Sequence, residues 1–548
     1  MTTNAEPVVE RAPEWLRVAC ILVIGLSALL VMTFDYGRDQ SIYALVAREM
    51  LHGGMPYKDA FDFKPPGIFL VYAVARALFG ADQSGIRVLE VFSLCGSAWL
   101  LVVLSKRHFR TSTAGWIAAA ITSQLHAQLD FWHTAQPETF GGTLTLAALF
   151  IAPIGTFTPP GSERRVILRW IAVGALFGGA GLMKPPLAGA AAIVALTRSA
   201  QLFYAARATA SVGSSVKTIL LPILAGAVGG LLPIALVGVW FDSTGAMPDL
   251  KEVLFVFTPY YTKLSWEGVS TTGMIYYGFT EWLTGYSGLL LAGLVCLALA
   301  RPRERERTFV YCVLGCIGMH VAGIVMQGKF FPYHWAATFP LTALLAGRGI
   351  NLGFERVSRA GLLGQGSLAA ALAVAWLLRA PVPSFGDTFI DRSKLRLSLL
   401  STGTAQQWDA LASVADVNAA ENRAVAELIK ERTRGRETEP IFVWGFECVI
   451  YDLAERPLSS RYIYNVPQRA EWSKGPMQAA LMRDLAARPP LVIVVEHRDV
   501  FAQVTGNNDD SARALWGFPQ LLDLVQNDYT HIETVGDFDV YLRNDEEP

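Results

Sequence analysis

The sequence predicts a polytopic α-helical membrane protein of about eleven spans with a C-terminal external α/β domain. Three observations predict it. Charged residues make up only 17% of the 548 and hydrophobic ones 52%, with a mean hydropathy of +0.34, against roughly 25% charged in an ordinary soluble domain. Apolar segments of spanning length, or nearly so, recur up to about residue 380. Beyond that point charge density becomes ordinary and the pattern changes to short strands alternating with amphipathic helices. A net charge of −1 without a basic face gives nucleic acid nothing to bind.

The first apolar run is Trp15 to Phe34. It is long enough to span and no small-residue cleavage site follows, so it reads as a retained first span and not a cleaved signal peptide. Further spans are expected at about 85–105, 113–129, 138–156, 166–182, 186–203, 218–240, 286–300, 308–326, 333–350 and 361–380. Lys and Arg collect in alternate connections: "KRHFR" at 106–110, "ERR" at 163–165 with Arg169, the stretch from Arg198 to Lys217, "RPRERER" at 301–307, and the Arg348 to Arg359 link. Short basic loops stay in the cytoplasm, and all of these do so if the chain starts inside. The N-terminus is therefore expected in the cytoplasm and everything beyond Pro381 outside the inner (plasma) membrane. This divides the chain into a membrane domain over 1–383 and an external domain over 384–548.

Between the first two spans lies "FDYGRDQSIYALVAREMLHGGMPYKDAFDFKPPGIF", which an anchor does not need. Asp39 to His52 is too polar to cross and reads as an amphipathic helix, with Ile42, Leu45, Val46 and Met50 on one face and Arg48 and Glu49 elsewhere. Pro65 to Gly80 is apolar but only about sixteen residues long, short for a span, and it opens on two prolines and contains Arg76. Counting it as a crossing would reverse every later loop, so it is expected to lie in the interface. The two segments form a large external loop built on surface-lying helices.

In the external domain, "IFVWG" (441–445) and "LVIVVE" (491–496) read as buried strands, and "AENRAVAELIKER" and "PMQAALMRDLAAR" as amphipathic helices. Neither strand is followed by GxGxxG or a P-loop, so no nucleotide site is expected. Five of the six cysteines lie in apolar runs and Cys448 stands alone in the external part, which rules out a disulfide within that domain. Outside the membrane Cys448 would react with an impermeant thiol reagent unless its fold buries it. Cys312 and Cys316 read as small packing residues. No zinc spacing occurs, and a divalent metal is not indicated.

The polar residues of the membrane half gather on the external side. They fall in the first loop, in "LDFWHTAQPETF" (129–140), in "LMKPPL" (182–187) and in "MQGKFFPYHW" (326–335), while 241–285 adds aromatic-rich surface helix. Transfer of a sugar from a phosphate-linked donor asks for such groups. The acceptor hydroxyl loses a proton as it attacks the anomeric carbon, which a carboxylate takes. The leaving phosphate gains charge, which Lys or Arg stabilises. Asp39 and Glu138 suit the first task; Lys64, Lys329, Arg38 and Lys184 suit the second. Each also has an ordinary reading that the residues alone leave open. Asp39 and Glu138 serve equally as helix N-caps, Lys64 as a snorkelling lysine, His334 beside Tyr333 as an interfacial anchor, and the loop aromatics as interface belt.

The loop "RDQSIYALVAREMLHGGMPYKDAFDFKPPG" resembles the first external loop of the GT-C superfamily of polyprenyl-phosphate-sugar glycosyltransferases, especially the protein O-mannosyltransferase and lipid A aminoarabinose transferase branch. Asp39, Tyr43, Ala44, Gly54, Pro56, Tyr57, Lys64, Pro65 and Pro66 occupy its positions. Gln40 stands where the family usually has a second acid, which puts an acidic-pair metal site in doubt. "HTAQPETF" resembles the second external loop, with Glu138 as its acid. "QGKFFPYHWAATFPLTALLAG" resembles the late loop, with Lys329, Tyr333 and His334 as its polar members. The resemblance covers about residues 15–380. It implies sugar transfer from a polyprenyl monophosphate to an envelope lipid, glycan or protein, with inversion at the anomeric carbon. In this scheme Asp39 is general base and Glu138 orients the acceptor. Lys64, Lys329, Arg38 and Lys184 hold phosphate, and Tyr43, Tyr57, Tyr333 and His334 position the substrates; no nucleotide is needed at the external face. The rival expectation is a secondary transporter or lipid flippase with proline-broken helices. The chain lacks the internal duplication and the lone mid-span acid which that reading needs. A non-catalytic scaffold leaves the polar loop unexplained.

Overall fold

The computed structural model describes residues 9–155, 163–208, 213–264, 266, 268–377, 389–413 and 418–544. Among the described residues every predicted spanning segment is helical. In chain order, with the two helices of the first loop and one, α10, from the 241–285 segment, the helices are α1 (Glu14–Met32), α2 (Arg38–Leu51), α3 (Gly67–Phe79), α4 (Ser84–Phe109), α5 (Thr113–Gln128), α6 (Pro137–Ile151), α7 (Glu163–Met183), α8 (Ala190–Ala208), α9 (Gly213–Ser243), α10 (Thr271–Gly285), α11 (Gly288–Ala300), α12 (Glu304–Gln327), α13 (Phe339–Val357) and α14 (Gly361–Leu377).

Among the described residues, seven helical stretches are long and apolar enough to cross a membrane, or eight if α10 and α11, bent by 92°, form one span. One of these stretches, Pro332–Leu377, holds both α13 and α14. It turns at Gly361, where φ is +68°, and a Cβ on Gly353 would meet Leu368 at 3.2 Å. Two residues so far apart along one straight helix would be separated by about 22 Å, so α14 runs back along α13 as a separate passage. Helices α5 and α6, with 16 and 15 residues, are shorter than the ~30 Å hydrocarbon core but still connect one end of the bundle to the other.

The helix ends sort into two groups. At one end Glu10 bonds the backbone of Arg110 and Ser112, Arg107 Nη1 donates to Phe150 O, and Arg303 pairs with Glu355 at 2.9 Å. Arg348, fully buried, pairs there with Glu306 at 2.9 Å. At the other end Gln128 donates to Gly285 O, and Gly67 and Gly142 pack on Leu182 and Ala337. The loops 106–110, 301–307 and 348–359 thus share one end, opposite the polar segments. Lys217 lies outside the described side chains.

Helix packing uses glycine where backbones approach. A Cβ on Gly174 would lie 1.9 Å from Gly226 O, on Gly178 2.3 Å from Gly230 O, and on Gly229 2.1 Å from Ile171 O. Close contact through small residues is how helices associate where no hydrophobic force separates them from lipid.

Both segments of the first loop are helical, and α3, 13 residues long, keeps Val74 and Leu78 exposed. Helix α2 is not surface-lying: from Arg38 to Ala47 every residue except Asp39 is buried. The C-terminal domain covers it, with Asp452 receiving Arg48 at 3.0 Å and Arg76 at 2.7 Å.

That domain contains α15 (Phe389–Thr402), α16 (Ala419–Arg432), β1 (Ile441–Trp444), α17 (Lys474–Ala487), β2 (Val492–Glu496), β3 (Tyr529–Val535) and β4 (Phe538–Arg543). The sheet order is β1-β2-β4-β3. β1 and β2 are parallel, with Ile441 opposite Val492, and the antiparallel β3–β4 hairpin turns at Gly536, φ +55°. The first two strands fall where the apolar runs predict them. The hairpin was not expected, because β3 shows an exposed, polar face. The 383/384 boundary lies outside the described residues, but α15 already packs on the bundle: Arg396 donates to Thr33 O at 3.0 Å and pairs with Asp130 at 2.8 Å. Cys448 is buried, its Sγ 3.1 Å from Ile463 O, so it is closed to an impermeant reagent.

Candidate active site

A cleft of about 190 Å³ opens where the polar end of the bundle meets the C-terminal domain. The bundle side contributes Arg38, Asp39, Phe63, Lys64, Trp132 and His133, with Tyr261, Phe331 and Tyr333 from later loops. Phe446, Phe501, Gln503 and Val504 form the opposite wall.

The charged floor is built by α2 and by the turn before α3. Gly37 precedes α2 and its N–H donates to Gln40 Oε1 at 3.0 Å, so the capping role falls to Gln40 and leaves Asp39 free to face the cleft. Tyr57, itself at positive φ (+70°), donates its hydroxyl to Lys64 O at 2.7 Å and so fixes the chain just before Pro65 and Pro66. Lys64 Nζ then lies 3.6 Å from Asp39 Oδ2 and over the rings of Phe63 and Tyr43. Burial works against the Lys64 charge, but Asp39 and then Asp62 outweigh it and raise its pKa, so it remains a cation. Asp39 also accepts from Gln136 Nε2 at 3.3 Å, and Gln136 accepts from Tyr43 at 3.0 Å. Asp39, 28% exposed at its side chain, is the accessible member of the group.

Glu138 and Lys184 form a second ion pair close behind, with Lys184 Nζ 5.5 Å from the Tyr333 ring centre. Glu138 Oε2 is buried without a partner. The structure thus brings Asp39, Lys64, Glu138, Lys184 and Tyr333 into one neighbourhood. Tyr43, Tyr57 and His334 sit beneath the surface as supports: His334 is buried edge-on to Tyr333 at 4.6 Å. None of these three borders the cleft.

Two further candidates, Arg38 and Lys329, are engaged by groups of the protein itself. Arg38 borders the cleft but is held by Glu447 at 2.5 Å and Glu496 at 3.2 Å, so its charge is already balanced by carboxylates. Lys329 donates to Leu264 O and Gln503 O, both at 2.7 Å, and burial lowers its pKa to about 8. Both residues join loops to the C-terminal domain.

The residues that sequence reasoning passed over are Asp62, Tyr261, His133, Trp132 and the C-terminal wall. Asp62 is buried, accepts from Tyr464 at 2.9 Å, and has its pKa raised to about 6 by burial. It lies two positions from Lys64 in "FDFK", and that alternation was the available signal. Nothing in the sequence links Phe446 or Phe501 to residues some four hundred positions earlier. Gln40 Nε2 donates to the carbonyls of Phe131, Trp132 and Thr134 at 2.9, 3.2 and 2.7 Å. A carboxylate there would face three acceptors, so this chain has no place for an acidic pair at 39 and 40. Among the described residues no group of three or more His, Cys, Asp or Glu is arranged for a metal. Glu281, buried with Oε2 unpartnered, lies one turn from the bend at Gly285 and not in mid-span.

No family model matches the chain, and no curated protein matches it in sequence. Solved structures do match. ArnT from Cupriavidus metallidurans, bound to undecaprenyl phosphate, aligns with a TM-score of 0.51 at 16% identity, covering 96% of this chain and 97% of ArnT. Its apo form gives the same values. The apo Archaeoglobus fulgidus oligosaccharyltransferase aligns at 0.49 and 13% identity, over 87% of this chain and 69% of that one. The ArnT alignment takes in bundle, first loop and C-terminal domain together, so the chain shares the fold of ArnT.

Proposed function

We propose that the cleft transfers a sugar from a polyprenyl monophosphate to a hydroxyl of an envelope lipid, glycan or protein. The observation that carries this reading is the Asp39–Lys64 pair at 3.6 Å on the floor of a cleft at the polar end of the bundle. A base and a cation side by side match the two charges that change in the reaction. The acceptor oxygen attacks the anomeric carbon as the bond from that carbon to the phosphate oxygen breaks, which inverts the centre. Asp39 takes the acceptor proton. Lys64 stabilises the phosphate that leaves on the polyprenyl chain, where partial burial strengthens the interaction relative to water. Lys184 lies behind Lys64 and is itself balanced by Glu138 Oε1, while Glu138 Oε2, without a partner, is left to orient the acceptor. Tyr333 and His133 border the same cleft.

Placement at the outer face follows from the basic loops, which belong in the cytoplasm and lie at the opposite end. The membrane is then the inner (plasma) membrane, with the N-terminus inside and the C-terminal domain outside. The donor class is supported by the undecaprenyl phosphate bound to ArnT in the same fold.

The test is single-turnover transfer from a short-chain polyprenyl-phosphate sugar. Asp39→Asn keeps the side chain's size and is expected to lose about 10²–10⁴-fold in turnover while donor binding and thermal stability persist. Glu138→Gln is expected to lose less. Near-normal turnover in Asp39→Asn overturns the reading.

A further inference from the structure

We propose that Glu447 and Glu496 of the C-terminal domain are positioning residues that, through Arg38, fix the first turn of α2 and aim Asp39 into the cleft. This rests on the reading of Asp39 as general base and gives the C-terminal domain a part in that reaction.

Residues 38, 39 and 40 are consecutive, and each step turns about 100° around the helix. Arg38 therefore points to one body, Gln40 to another, and Asp39 to the gap between them. On one side Arg38 Nε and Nη2 reach Glu447 Oε1 at 2.5 Å and Glu496 Oε1 at 3.2 Å, with the guanidinium 4.3 Å above Phe501. On the other, Gln40 holds the three carbonyls of residues 131, 132 and 134. Asp39 itself is held at 3.3 Å by Gln136, at 3.6 Å by Lys64, and by the Tyr333 hydroxyl. Those contacts act on its carboxylate, while the place of its backbone is set by the helix that carries it, and the helix by the two neighbours of Asp39.

The acids are themselves rigid. Glu447 follows β1 and accepts from Asn422 Nδ2 at 2.7 Å. Glu496 ends β2 and accepts from the Phe446 N–H at 2.5 Å. A Cβ on Gly445 would lie 2.4 Å from Glu496 Oε2, so glycine is what lets this carboxylate lie against the strand. All three side chains of the clamp are about 3% exposed or less, where water neither softens nor replaces the contacts.

A salt bridge that only glues domains together would look the same in a static view, so the test must separate positioning from stability. Glu447→Asp and Glu496→Asp keep the charge and shorten the reach by one methylene. In the full-length protein each is expected to lower single-turnover rate about 10- to 100-fold, the scale of a misplaced reacting group, with the donor KM within about threefold of wild type. Placed in an Asp39→Asn background the same changes should cost no further turnover, while their effect on thermal stability stays the same in both backgrounds. Equal turnover losses in the two backgrounds overturn the proposal and leave a structural bridge. Wild-type turnover in both aspartate variants, with Asp39→Asn crippled, overturns the clamp alone; normal turnover in Asp39→Asn overturns the base assignment on which it rests. If an aspartate variant does not fold, Arg38→Lys, which keeps the charge but loses the fork, is read by the same cycle.

Discussion

Lys64 sits between two carboxylates and is worth more to the site than its single charge suggests. Burial alone would push its pKa down; Asp39 and Asp62 push it up further. Lys64→Gln should therefore weaken donor binding and slow turnover at subsaturating donor, and Lys64→Arg should keep part of both because charge survives while geometry does not. Unchanged turnover in Lys64→Gln would return Lys64 to a snorkelling role. Asp62 makes a separate, pH-dependent prediction. Burial raises its pKa from 3.8 to about 6, so between those values the folded chain holds a proton that the unfolded chain has lost. Its contribution to stability is complete below about pH 4 and falls away as pH rises through about 6. Asp62→Asn, which keeps the acceptor for Tyr464, should flatten the pH dependence of thermal stability across that window. An unaltered pH profile would place the titration elsewhere. At this scale the sequence named Asp39 and Lys64 because polar residues are conspicuous beside a membrane span. It passed over Asp62 because one more acid in a polar loop carries no mark of being buried.

At the scale of elements, helix existence was legible and helix environment was not. The periodicity of Asp39 to His52 correctly called for a helix, but α2 is buried on nearly all sides because Asp452, Glu447 and Glu496 come from a domain whose approach no local pattern records. Gln40 is the element's second anchor: Gln40→Glu should destabilise the protein, since it sets a charge against three carbonyls without the donor that held them, and it should also reduce turnover through Asp39. Normal stability and rate would mean α2 is held by Arg38 alone. The α7–α9 pair offers an element test independent of the site. Gly174→Ala forces a Cβ to within 1.9 Å of Gly226 O, and overpacking of this kind costs about 1–3 kcal/mol, read as a lower melting temperature. Gly238→Ala, on the same helix pair with nothing within 4 Å, is the control expected to melt like wild type.

For the whole molecule, the side assignment is the claim on which an external site depends. Cysteine introduced at Trp516, an exposed position of the C-terminal domain, should react with an impermeant thiol reagent in intact cells. Cysteine at Arg305 in the basic 301–307 loop should react only once cells are opened. The reverse pattern would put the cleft in the cytoplasm and remove the argument for a lipid-linked donor at the outer face. Native Cys448 cannot report on this, being buried beside Ile463.

What the sequence determined by itself follows from the solvent. A hydrocarbon core demands apolar segments of fixed length and basic loops on one side, so the apolar helices and the end that carries the polar loops are written locally. The first loop is equally local, and with it Asp39, Lys64, Tyr57 and the two prolines. Only the tertiary structure decided that the C-terminal domain closes the cleft with Phe446 and Phe501. It also decided that Arg38 and Lys329 both bond to that domain, and that Tyr43, Tyr57 and His334 lie beneath the cleft and not in it. The physical reason is range: hydropathy and helical period are properties of neighbours in the chain. The partner of a buried charge is set by which surfaces meet, here Arg38 with Glu447 and Glu496, more than four hundred residues away.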